Sequence, residues 1–168
     1  MYILIGKDRL KKVEGDFPVS HLDVDRLLAN WRWLCPQKMR LISRNAFGDL
    51  FLCDDGGCVH WLDVGVGKLE QLTDSEEQFR ACLQGEELRE RWLVEADERE
   101  AALQGLVPDA NQCIAFAIPL VFKEGGKDNT PYIIDLYEGV SFLGDLHQQL
   151  HGVPNGANVR LIIGPKPK

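Results

Sequence analysis

Apolar and polar positions alternate most regularly in FGDLFLCDDGGCVHWLDV, residues 47–64, where two strand-like arms flank a turn. The four residues DDGG between Cys53 and Cys58 predict a four-residue hairpin loop that makes these cysteines facing partners. Period-two alternation then puts Phe51, Cys53, Cys58 and His60 on one face, with Leu50, Leu52, Val59 and Trp61 on the other. Further strands are predicted at residues 2–5 (YILI), 39–45 (MRLISRN), 68–72, 113–122 with a bend at Pro119, 132–136 (YIIDL), and 159–163.

Helical spacing appears in four places. From Asp23 to Leu34 the apolar stripe is Leu27, Leu28, Trp31 and Leu34, with Asp23 as cap and Pro36 as stop. TDSEEQFRACL opens a helix capped by Thr73 or Asp74, with Glu76 or Glu77 placed for a capping box. Leu88, Trp92, Ala96, Arg99 and Leu103 recur at three- and four-residue steps, predicting one continuous helix that Gly105 closes. VSFLGDLHQQL, residues 140–150, is amphipathic. Trp61, Trp92 and Phe142 are expected in the core. Antiparallel strands with helices grouped between them make the class α+β: a single domain with a central, mostly antiparallel sheet built on the 47–64 hairpin and packed by amphipathic helices. Residues 1–22 read as an N-terminal extension, 23–160 as the domain proper and 161–168 as a basic tail.

Three soft ligands on one hairpin face would suit zinc, but a structural site takes four, and no spaced fourth ligand follows. An ordinary two-sided hairpin tipped by Asp54 and Asp55 is expected, with no metal and no cofactor. His147 and His151, four apart, would share a helix face as helical metal ligands do; solvent-facing side chains complementing the helix C-terminus are the plainer reading. Asp49 or Asp63 with His60 could form an acid–base cluster, but no nucleophile or oxyanion donor accompanies them. There is no G-x-S-x-G, H-E-x-x-H or Walker loop, so no catalytic residue is assigned and an enzyme is not expected.

At 168 residues and 45% hydrophobic content, the chain is long enough for one substantial core. It has no apolar run of the ~20 residues that would cross a bilayer, and its opening lacks the order of a secretory signal. A cytoplasmic protein with five reduced cysteines is expected, and no membrane partner. A net charge of −7 disfavours nucleic acid as a partner. The charge is lopsided: residues 45–122 hold 16 acidic and 5 basic side chains, a net of −11, while the flanks hold the other 10 acidic and 14 basic. Such a stretch is either a solvated face or a surface that attracts a basic partner.

LLANWRWLCP, AFGDLFLCDDGGCVHWLDVGVGKLEQLTDSEEQF, CIAFAIPLVF and VSFLGDLHQQLHGVPNG, in that order, resemble a bacterial domain family. It is the C-terminal domain of immunity proteins for type VI secretion nuclease toxins, often found after a GAD-like domain. The resemblance runs from about Asp23 to Arg160; its leading motif is the G-D-L-F-L and V-H-W-L-D-V hairpin, followed by S-F-L-G-x-x-H. With only some 20 residues before the match, the resemblance implies a stand-alone version. The hairpin cysteines and the segment KEGGKDNTPYIIDLYEGV depart from the family pattern. The resemblance implies a cognate toxin with a basic active-site cleft as the partner. Candidate contacts are Asp54, Asp55, Asp63, Glu70, Asp74, Glu76 and Glu77, then Glu87 and Glu90. The alternatives are a regulatory interaction module unrelated to any toxin, or an enzyme using His60 with Asp49 or Asp63.

Overall fold

The structure is a computed structural model that describes residues 17–125 and 129–161. Four strands, β1 (Met39–Arg44), β2 (Leu50–Asp54), β3 (Val59–Asp63) and β4 (Lys68–Thr73), form an antiparallel meander in sequence order. A second, two-stranded sheet pairs β5 (Gln112–Phe116) with β6 (Pro131–Asp135). The helices are α1 (Val24–Leu27), α2 (Glu76–Cys82), α3 (Glu86–Leu93), α4 (Glu95–Leu103) and α5 (Leu136–Leu150). The fold is α+β. No helix among the described residues is long and apolar enough to cross a membrane.

Pleat alternation distributes the core over both faces of the meander. Leu41, Leu50, Leu52 and Leu62 face Leu27, Leu28 and Trp31 on one side, under Leu136 and Val140 of α5. Phe51, Cys53 and Val59 face Phe79 of α2 and Trp92 and Leu93 of α3 on the other. A third cluster, Ala46, Ala101 and Ile114, closes the end where α4 meets β5. An uncovered face of the meander would expose leucines or aromatics, so helices are needed on both sides.

The hairpin departs from the expected register by one residue. Cys53 pairs with Val59, Leu52 with His60 and Phe51 with Trp61. Gly57 is the reason: its N–H donates to Asp54 O (3.1 Å), and at φ +91 it occupies the left-handed region. Asp54 N–H donates to Cys58 O (3.0 Å), leaving a three-residue loop with a glycine bulge. A one-residue slip moves side chains to the opposite face. Cys53 and Cys58 are therefore on opposite faces, and His60 lies on the side of Leu52 rather than of Phe51.

Other boundaries also move. The segment 23–34 is a single α-turn, α1, followed by a 3-10 turn over Ala29–Trp31. The cap of α2 is Ser75, whose hydroxyl accepts from Gln78 N–H (3.2 Å), rather than Thr73 or Asp74. The expected long helix is broken into α3 and α4 at Val94, which is left-handed at φ 48. Two side chains satisfy backbone groups at the break. Asn45 Nδ2 donates to Trp92 O (3.2 Å), and the Glu90 carboxylate accepts from Ala96 N–H (3.0 Å). Helix α5 begins at Leu136, directly after its cap Asp135, which accepts from Glu138 N–H (3.1 Å). Residues 159–161 are irregular; the remainder of the expected last strand and the YILI strand lie outside the described residues.

Candidate functional site

The register places the acidic candidates in three separate groups. The first gathers at the hairpin tip, because Val59 pairs with Thr73 and Arg40, beside Cys53 in β1, reaches Glu76 (2.7 Å). Asp54, Asp55, Asp74, Glu76 and Glu77 thus share one end of the meander. Within this group Asp55, Asp74 and Glu77 are exposed, whereas Asp54 and Glu76 are committed locally. Asp54 Oδ1 accepts from Cys58 N–H (2.9 Å), and its Oδ2 lies 2.8 Å from His60 Nε2. That imidazole holds the Asp54 carboxyl below the usual carboxylate range. Glu76 is bonded by both Arg40 and Arg80 (2.9 Å), which hold its carboxyl down too.

The second group belongs to the α3 side. Glu70 is bonded by Lys68 (2.7 Å), which lowers its pKa, and lies 3.8 Å from Arg91. Glu90 caps α4 as described, and Glu87 is exposed on the first turn of α3. The remaining candidate, Asp63, sits at the opposite end of the hairpin, where Oδ1 accepts from Val66 N–H (2.9 Å). With about 3.4 Å per strand residue, it is roughly 17 Å from the acidic tip.

His60 does not meet Asp49 or Asp63. It lies on the other face of β3 from Asp63 and is bonded to Asp54 at the tip. Asp49 is buried: its Oδ1 accepts from Val64 N–H (2.9 Å) and its Oδ2 from Asn45 Nδ2 (2.9 Å). Burial, with the nearby Asp63 charge, pushes its carboxyl up to about 7. The first of these bonds joins the loop before β2 to the turn after β3 and the second holds the loop itself, a bracing role for the hairpin base.

His147 and His151 do not share a face either. His147 is buried in α5, its Nε2 donating to Val64 O (3.1 Å) and its ring 5.8 Å from that of Trp31. Desolvation holds this imidazole below its usual pKa, against the opposing pull of the backbone contact at Val64. His151 is already outside the helix, extended and exposed, its ring 5.4 Å from that of Trp33. Among the described residues no group of three His, Cys, Asp or Glu side chains could hold a metal ion.

One feature was missed by sequence reasoning. A cavity of about 200 Å³ opens between α5, the β5–β6 pair and the turn after β3. Phe47 and Phe116 stack in its wall (6.1 Å), and Phe142, Tyr132 and Leu120 stand around its mouth, 41%, 42% and 49% exposed. Phe142 is thus a surface residue, contrary to expectation: the helix stripe that enters the core runs through Leu136, Val140 and Leu146 instead. Trp92 is buried as expected and Trp61 is half-buried. The clue in the sequence was the run AIPLVF after β5, whose apolar residues follow neither period and lie on the surface at Ile118, Leu120 and Val121. No family model, no curated protein and no solved structure matches this chain.

Proposed function

We propose that this protein is a cytoplasmic immunity protein. It binds a cognate bacterial toxin, a nuclease delivered by type VI secretion, and occludes its active site without catalysing a reaction itself. The observation that carries this reading is the acidic end of the meander, where the hairpin loop and the β4–α2 junction converge and leave Asp55, Asp74 and Glu77 open to solvent. A nuclease cleft must attract phosphate and is therefore basic, so a carboxylate-rich rigid end complements it and speeds encounter. The sequence resemblance supports the same partner class.

The test is co-purification with the product of the neighbouring gene, followed by stopped-flow mixing. Rim charges act mainly on association, so changing Asp55, Asp74 and Glu77 together to amides is expected to slow association severalfold at low salt. The difference is expected to fade as the Debye length shrinks from about 10 Å at 0.1 M to about 3 Å at 1 M. Asp54 is left intact because it holds the turn. Equal rates at low salt, or no complex at all, would sink the reading.

A further inference from the structure

The cavity beside α5 has a combination of features that the acidic end lacks. Its lining is mainly apolar, and its mouth carries two half-open aromatic rings. Its charged lining residues are all carboxylates, Asp49, Asp63 and Asp97; none of the described lining residues is basic. Its rim is held open by the chain's own bonds. Asn129 donates to Ile118 O (2.5 Å) and accepts from Ile118 N–H (2.9 Å), while Ala117 N–H donates to Thr130 O (2.9 Å). Behind the rim, Gly125 is buried so close to Pro119 that an added Cβ would meet Pro119 O at 2.7 Å.

We propose that this groove is the anchoring site for a partner protein segment that presents one large apolar side chain with an arginine or lysine beside it. The apolar group fills the cavity against Phe116 and Phe142, where water is excluded and an aromatic contact contributes most. The cation sits at the mouth by Asp63 and Asp97, partly hydrated, so it avoids the desolvation cost of a buried charge. An acidic segment is repelled by the same carboxylates, which gives the site a choice of partner by sign. The inference rests on the toxin-binding reading only for the identity of the natural partner, since the groove and the acidic tip are opposite ends of the hairpin.

The experiment titrates the full-length protein, observed by amide chemical shifts, with a blocked arginine–tryptophan–arginine peptide. Shifts are expected at Ala115, Phe116, Tyr132 and Phe142, with binding at least tenfold weaker for glutamate–tryptophan–glutamate and for arginine–alanine–arginine. Phe142→Asp, at an exposed position, should abolish the response; Tyr132→Ser serves if that variant does not fold. Equal binding of the control peptides, shifts centred elsewhere, or an undiminished response in the variants would overturn the proposal. So would a wild-type dimer that Phe142→Asp dissolves, because the occupant would then be a second copy of the chain. The neighbouring gene's product separates the two ideas. Capture by wild type but not by Phe142→Asp supports the groove, and equal capture by both overturns the groove while sparing the toxin reading. Peptide binding in the groove without any capture of that product overturns the toxin reading and spares the groove.

Discussion

Gly144 is the point where α5 comes closest to the chain beneath it. An added Cβ would stand 2.8 Å from Asn30 O and 2.9 Å from Trp31 Nε1, the donor to Val140 O. Backbone atoms cannot yield as a side chain end can, so Gly144→Ala is expected to cost about 1–3 kcal/mol, measured by urea unfolding. Trp92→Ala, which empties a buried ring site between Phe79 and the sheet, should cost about 3–5 kcal/mol in the same assay. Asp49 gives a prediction in pH. Its folded value of about 7 lies above the ordinary value of about 4 expected in the unfolded chain, so the folded state keeps a proton that the unfolded state releases. The associated stability is full below about pH 4 and is lost as pH rises through about 7, with a slope of at most about 1.4 kcal/mol per unit. Comparing urea midpoints from pH 4.5 to 7.5, wild type should lose stability relative to Asp49→Asn as pH rises. A constant difference would mean that the carboxyl titrates normally.

At the scale of elements, Val94 shows how a helix can be interrupted against its own periodicity. The apolar spacing from Leu88 to Leu103 is continuous, and nothing at Val94 is glycine or proline. The break becomes intelligible only with Asn45 and Glu90 in place, one 49 residues away in sequence, to take up the backbone groups that the kink frees. A β-branched residue at positive φ is strained, whereas asparagine tolerates the left-handed region. Val94→Asn is therefore expected to raise stability by about 1 kcal/mol, read from the denaturant midpoint. The strand expected over 113–122 ends at Phe116, before the bend at Pro119, whereas strands β1 to β4 and β6 were legible because alternation and turn glycines are local signals. The hairpin register was not, because DDGGC fits a four-residue or a three-residue loop equally well until the conformation of Gly57 is known. That single ambiguity turned Cys58 and His60 to the wrong face and assembled, on paper, a ligand set that the fold disperses. The acidic tip was partly legible, since the hairpin and the start of α2 were both placed; its coherence depends on β4 returning Thr73 to Val59. The groove was not, because its walls come from the turn after β3, β5, β6 and α5, elements far apart in sequence that only the tertiary fold brings together.

Over the whole molecule, charge and apolar surface occupy different ends of one rigid hairpin. The tip offers carboxylates without apolar cover, suited to fast and salt-sensitive encounter; the base offers apolar cover with a few carboxylates, suited to slow release. If both ends engage one partner, raising salt should reduce the association rate far more than it raises the dissociation rate. Stopped-flow association and dilution-induced dissociation, each measured from 0.1 to 1 M salt, check this. A dissociation rate that climbs as steeply as the association rate falls would place the charges in the bound interface rather than at its approach.

The connection between Trp31 and α5 also has a consequence in time. Trp31 donates to Val140 O across 109 positions of sequence, and Leu27, Leu28 and Trp31 belong to the same core cluster as Leu136 and Val140. The meander, by contrast, joins neighbours and can close as soon as each strand is made. At about 5–20 residues per second, translation leaves roughly 5–20 s between the appearance of Trp31 and that of its acceptor. Throughout that interval the leucine-rich face of the sheet has only Leu27, Leu28 and Trp31 against it, without the helix that will close over them. The last cover to arrive is the decisive one, and chains halted before Leu136 are expected to be caught by chaperones or to aggregate, whereas chains halted after Leu150 should not.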